Sequence, residues 1–247
     1  MKQVVMRLIR TDNYEQMSEE AAKLVAGQLW LKPASVLGLA TGSTPLGLYK
    51  KLVDLHDTVG LSFAQTKTFN LDEYVGLTPA DEQSYHYFMQ KNLFSKVDIK
   101  PENTVIPDGM AVDPEKEGER YERAIAAAGG IDLQILGIGR NAHIGFNEPA
   151  DAFACITHKV ALKADTIEAN SRFFKSLAEV PKSAISMGIG SIMKSRHIVL
   201  LASGEAKAEA VKKAFLGDIT PLVPASILQL HPAVTLIVDK ESGAMLP

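Results

Sequence analysis

The sequence has one cysteine, Cys155, among 247 residues, so no disulfide within the chain can carry its stability. Such sparing cysteine use fits the reducing cytosol. It has no apolar run approaching the ~18 residues needed to cross a bilayer. The first stretch, MKQVVMRLIRTDNYEQ, lacks the pattern of a signal peptide: Arg7 and Arg10 interrupt its apolar positions, and no small-residue cleavage site follows. The expectation is a cytosolic protein, neither secreted nor membrane-inserted. Positive charge is not in excess: the net charge is −3, with no basic cluster. Binding to nucleic acid or to an anionic membrane therefore has no electrostatic support. Repeats, low-complexity tracts and Pro/Gly/Ser-rich linkers are also missing, so one domain spanning residues 1–247 is expected.

What is present is an ordinary globular composition, 46% hydrophobic and 22% charged. The chain is long enough to bury a large core without disulfides or metals. Short apolar runs read as buried strands: Ser35–Ala40, Thr66–Leu71, Ile131–Leu136, His197–Ala202 and Val234–Val238. Amphipathic segments lie between them. Ser18–Leu29 places Ala21, Leu24, Val25 and Leu29 on one face, and Pro45–Leu55 opens on proline, a favoured first helical residue. Glu82–Leu93, Pro114–Ala128 and Glu205–Leu216 look similar. Strand alternating with helix predicts an α/β fold, a doubly wound, mainly parallel sheet with helices on both faces. Ligands of such folds sit outside the carboxyl ends of the strands.

The strand ends carry the chemistry. Thr41-Gly42-Ser43-Thr44-Pro45 leads from a strand straight into a helix. Hydroxyls, a glycine and free N–H groups at a helix N-terminus suit a phosphate; the rival reading is an ordinary capped turn. The segment matches neither the Walker nor the dinucleotide glycine pattern. Asp72-Glu73 follows the second run; a carboxylate there serves either as a general base or as a loop or capping acid. The third run enters Gly137-Ile138-Gly139-Arg140-Asn141-Ala142-His143-Ile144-Gly145-Phe146-Asn147-Glu148-Pro149. Here His143 and Glu148 suit an acid–base relay in which a carboxylate orients an imidazole. A metal site is the rival reading, but the spacing is not HExxH and no third ligand cluster is evident. Arg172 and Lys207 are candidate clamps for phosphate oxygens. His56, His86, His158, His197 and His231 default to structural or surface roles.

Together these segments resemble the glucosamine-6-phosphate deaminase family. The matching pieces are LGLATGSTPLGLY, FNLDEYVGL, LGIGRNAHIGFNEP, ANSRFF and PASILQLH, in order from Val36 to His231. The resemblance implies a Rossmann-like three-layer fold. The implied reaction converts glucosamine 6-phosphate and water to fructose 6-phosphate and ammonia, with no cofactor and no metal. By similarity, His143 promotes opening of the sugar ring, supported by Asn141 and Glu148. Asp72 takes the C2 proton and returns a proton at C1. Thr41, Gly42, Ser43, Thr44, Arg172 and Lys207 hold the phosphate, and residues 160–181 form a mobile lid over the intermediate. The implied partner is the small-molecule substrate, and the chain is a monomer or small homo-oligomer.

The chain departs from the family at a few positions. Some members have Asp-Gly where this chain has Asn141-Ala142, and Asn cannot exchange a proton at neutral pH. Regulated relatives place a Ser pair and basic residues where this chain has Asp151, Ala152, His158 and Val160, and they extend further at the C-terminus. Little response to N-acetylglucosamine 6-phosphate is therefore expected. The alternatives are a 6-phosphogluconolactonase-type hydrolase, which needs no base at C2, and a non-catalytic sugar-phosphate sensor. The intact LDEYVGL and HIGFNEP segments argue against both.

Overall fold

In the computed structural model, residues 6–163, 167, 168, 174, 176 and 179–247 are described. The central feature among them is a seven-stranded parallel sheet. Its strands are β1 (Arg7–Arg10), β2 (Val36–Leu39), β3 (Lys67–Asn70), β5 (Thr104–Val105), β6 (Leu133–Gly137), β9 (His197–Ala202) and β10 (Val234–Val238), in the spatial order β1-β10-β9-β6-β2-β3-β5. Every residue of β2, β9 and β10, except His197 at the start of β9, is buried. That is why these strands read as continuous apolar runs rather than as alternation. The five runs expected from sequence all form strands, and two of them have the expected bounds.

The helices are α1 (Tyr14–Leu31), α2 (Leu46–Val59), α3 (Tyr85–Asn92), α4 (Pro114–Ala127), a one-turn α5 (Ile189–Ile192) and α6 (Ala208–Leu216). From β1 through α1, β2 and α2 to β3, the chain steps one way across the sheet. From β5 through α4 to β6, and from β9 through α6 to β10, it steps the other way. Right-handed crossovers then put α1 and α2 on one face and α4 and α6 on the other. The reversal falls between β2 and β6, the switch point where such sheets open a crevice.

Most helix boundaries differ from expectation; α1, for example, starts at Tyr14 rather than Ser18 and α2 runs on to Val59. Pro45 is the cap before α2, not its first residue, and it lends no side-chain hydrogen bond. The third helix starts at Tyr85, because the Ser84 hydroxyl accepts the Tyr87 N–H and sets its N-terminus. Glu205–Lys207 winds as a tighter 3-10 turn before α6.

A second, antiparallel sheet, absent from the sequence reading, joins β4 (Asp72–Tyr74), β8 (Ser183–Ser186) and β7 (His158–Ala161) in the order β4-β8-β7. It has its own apolar cluster of Tyr74, Phe146, Leu162 and Ala184, bordered by Tyr85, Val160, Ile167 and Phe174. Val160 and Ala161, the start of the expected lid, belong to β7, and much of that segment lies outside the described residues. No helix among the described residues is long and apolar enough to cross a membrane.

Candidate active site

Thr41–Pro45, Asp72-Glu73, Gly137–Pro149 and Lys207 follow β2, β3, β6 and β9, which are consecutive in the sheet order β9-β6-β2-β3. Their loops therefore stand side by side along one edge. Asp72 pairs with Ser186 across β4 and β8, and the Ser186 hydroxyl accepts the Phe146 N–H at 3.0 Å. Asn147 donates to the carbonyls of Ile144 and Met187 at 2.9 Å each, while the Met187 N–H reaches the Leu71 carbonyl. The small sheet thus ties the β3 end to the β6 loop.

Asp72 is 6% exposed. No hydrogen bond to its carboxylate is found among the described residues. Burial, with the neighbouring Glu73 charge, pushes its pKa up to about 8. A carboxylate left without cations or N–H donors holds its proton tightly, and near neutral pH it becomes a strong, poised base.

The β6 loop forms a relay. Glu148 Oε2 accepts from Asn141 Nδ2 at 2.6 Å, which turns Asn141 Oδ1 toward His143 Nδ1 at 2.7 Å. Since Oδ1 only accepts, Nδ1 carries the proton, and in the neutral ring Nε2 keeps its lone pair; the tautomer follows from this amide orientation. Glu148 Oε1 also lies 3.5 Å from His143 Nδ1. Asn141 therefore works as an orienting bridge between two titratable groups.

The loop closes this tightly because of one glycine. A Cβ on Gly139 would fall 2.3–2.5 Å from three atoms of the His143 ring, so the imidazole occupies the space a side chain would fill. Ala142, between the relay residues, has φ +66° and is 1% exposed, a left-handed conformation that favours glycine.

Around the expected phosphate loop, Ser43, Thr44, Lys50, Tyr14 and Ser203 line a recess of about 560 Å³. One expected donor is taken: the Tyr14 hydroxyl accepts the Gly47 N–H at 2.7 Å and donates to the Ser43 carbonyl. Lys207 is half-buried in the 3-10 turn after β9. Arg172 lies outside the described residues. A smaller recess of about 230 Å³ is lined by Glu148, Phe153, His158, Lys163 and Pro221 among others. Neither recess is lined by Asp72 or His143.

Sequence reasoning missed the aromatic wall. Tyr74 packs against Tyr85 with ring centroids 4.8 Å apart, against Phe146 at 5.7 Å and against Phe174 at 5.9 Å. Tyr85 stacks on Phe146 at 6.1 Å and 13°. Tyr74 stood in the LDEYVGL segment as a visible signal, whereas Tyr85 and Ser186 carried none. Among the described residues there is no group of three or more His, Cys, Asp or Glu side chains placed to hold a metal ion.

Known proteins match the chain over nearly its whole length. A sequence profile of glucosamine-6-phosphate isomerases and 6-phosphogluconolactonases matches residues 11–237. The glucosamine-6-phosphate deaminase of Clostridioides difficile (strain 630) is 58% identical over 241 residues, covering 98% of this chain and 97% of the relative. That of Thermoanaerobacter pseudethanolicus is 56% identical over 242 residues, covering 98% and 96%. A solved monomeric glucosamine-6-phosphate deaminase superposes with TM-score 0.95 at 47% identity, covering 97% of this chain and 100% of the other. The 6-phosphogluconolactonase from Trypanosoma cruzi superposes with TM-score 0.79 at 20% identity, covering 99% and 98%, a likeness of fold alone.

Proposed function

We propose, from the premise that the chain belongs to the family of glucosamine-6-phosphate isomerases and 6-phosphogluconolactonases, that it deaminates glucosamine 6-phosphate to fructose 6-phosphate and ammonia. Relatives above 55% identity that bear the deaminase name support this choice of substrate. The observation that carries it is the pairing of two separately prepared bases: a buried Asp72 with raised proton affinity and an imidazole whose Nε2 lone pair is fixed by Asn141 and Glu148. Lactone hydrolysis has no use for a base poised to cleave a C–H bond.

The steps follow from the residues. His143 Nε2 moves a proton from the O1 hydroxyl to the ring oxygen, opening the ring. Asp72 removes the C2 proton of the open-chain aldehyde while O1 takes a proton from solvent, giving an enolamine with the hydroxyl on C1. It returns a proton to C1, and the C2=N double bond forms. Water adds at C2, the C2–N bond breaks, ammonia leaves and the ketose remains. One base placed near both C1 and C2 suffices.

In this reading Thr41, Gly42, Ser43, Thr44, Lys207 and Arg172 hold the phosphate. The single domain closes a lid at residues 160–181 over the intermediate and works as a cytosolic monomer without cofactor. Kinetics are hyperbolic, and millimolar N-acetylglucosamine 6-phosphate leaves the Hill coefficient at one. Exposed Asp151 repels a phosphate, and Ala152 and Val160 donate nothing. A coupled assay for fructose 6-phosphate and ammonia, run beside 6-phosphogluconolactone hydrolysis, tests the reading. Lactone cleavage without ammonia release would overturn it.

A further inference from the structure

The proposed mechanism leaves unused the buried carboxylate next to its base. Glu73 neighbours Asp72 on β4 and is 2% exposed. Successive residues of a strand point to opposite faces, so Glu73 turns away from the base. Its oxygens accept three backbone N–H groups: Oε1 from Tyr74 at 2.8 Å and Tyr85 at 2.9 Å, and Oε2 from His86 at 2.9 Å. Tyr85 and His86 are the first two residues of α3, and Ser84 takes the third N–H, that of Tyr87. Glu73 therefore clasps the N-terminus of α3 from the strand that carries Asp72.

Tyr85, the residue so held, meets three of the converging loops. Its ring stacks on Phe146 of the relay loop and packs on Tyr74 beside the base. Its hydroxyl comes into polar contact with Tyr74 and with Thr41 of the phosphate loop. We propose that Glu73 is a positioning residue, which locks the Asp72 strand to the helix bearing Tyr85 and so sets the base in register with the relay and the phosphate loop. The inference rests on the deaminase reading for its chemistry, although not for its geometry.

The charge of Glu73 gives the same residue an electrostatic consequence. It is the carboxylate whose field adds to burial in raising Asp72. Burial raises Glu73 itself to about 7, against the lowering effect of its three N–H donors and with a contribution from Asp81. The other groups around Asp72 are phenols: Tyr49 of α2, Tyr74, Tyr85 of α3 and Tyr121 of α4 all feel its charge. The neighbouring loops carry His143, Glu148 and Lys207. His86, beside Glu73, is lowered by burial against the pull of Asp108. Removing the Glu73 charge therefore lowers the proton affinity of Asp72.

Two substitutions separate position from charge. Glu73→Gln removes the charge and offers an amide NH₂ to one backbone donor. The kcat should fall by about 10- to 100-fold with KM little changed. The acidic limb of the kcat/KM profile should move down by about one pH unit. Glu73→Asp keeps the charge but cannot reach all three donors, so kcat should fall while the limb stays put. A ¹³C titration of the Asp72 carboxyl in wild type and Glu73→Gln reads the same shift without turnover. If wild type does not deaminate yet the titration shifts, the functional reading falls and the coupling stands. Wild-type kcat in both variants would overturn the proposal. So would losses that track thermal stability while the limb and the ¹³C titration stay unmoved. If Glu73→Gln does not fold, Glu73→Asp decides: wild-type kcat there also overturns it.

Discussion

Asp72 and Asp132 stand at opposite edges of the same sheet, one after β3 and one before β6, and are 6% and 5% exposed. Their surroundings push them in opposite directions. Asp132 accepts from Lys32 Nζ at 2.8 Å, Arg196 Nη1 at 2.7 Å and the Val36 N–H at 2.8 Å, and its pKa lies below the ordinary value. Asp72 has a carboxylate neighbour and phenols, and its pKa is raised to about 8. The same residue type, equally hidden from solvent, thus yields a structural clasp at the amino edge and a reactive base at the carboxyl edge. What separates them is both depth and donors: Asp72 lies far from water with no donor among the described residues aimed at its oxygens, while Asp132 sits near the surface among three of them.

Breaking the base should have the largest effect. Asp72→Asn lowers kcat by on the order of 10²–10⁴-fold while substrate binding persists. The same change should raise thermal stability. The folded pKa is raised from 3.8, so the stability this group contributes is full below pH 3.8 and is lost as pH rises through about 8. The gain from Asn is therefore greatest above pH 8, and melting curves across pH check it. A variant that loses activity and stability together above pH 8 would contradict it.

Next is the seat of the relay. Gly139→Ala displaces the His143 ring, since the added Cβ would lie within 2.5 Å of it, and lowers kcat by about 100-fold. Steady-state rates on the folded variant test this.

At the other edge, Asp132→Ala should leave kcat unchanged and cost about 2–3 kcal/mol of stability. It strands the buried Val36 N–H and frees two cations that are already half-exposed. Here the sign is reversed. A lowered folded pKa means the contribution is present above pH 3.8 and is lost as pH falls through the lower folded value. Denaturant curves at neutral and acidic pH should converge for wild type and variant.

How much of this contrast was legible in the sequence follows from the same physics. The buried strands were, because continuous apolar runs between helical patterns have few other readings. Asp72, His143 and Glu148 were, because charged residues at apolar strand ends stand out. The second sheet was not: β4 is the three residues Asp-Glu-Tyr, too short and polar to show a period, and it exists only through its pairing with β8. Asp132 passed unnoticed because its partners, Lys32 and Arg196, are 100 and 64 residues distant. Glu73 was visible as an acid, but two of its three donors come from a helix that begins twelve residues later.

The smallest effect concerns strain beside the relay. Ala142→Gly relieves a left-handed alanine and should stabilise the fold by about 0.5–1 kcal/mol with kcat little altered. A rise in melting temperature checks it.

The central claim is that Asp72 cleaves the C2–H bond of glucosamine 6-phosphate, and isotope transfer from that carbon tests it most directly. With C2-deuterated substrate in ordinary water, wild type should break the C–D bond, pass label to solvent and to C1 of fructose 6-phosphate, and release ammonia. Asp72→Asn, folded and still binding the sugar, should leave the label at C2. Loss of deuterium from C2 at the wild-type rate in that variant, or no C–D cleavage in wild type, would contradict the account.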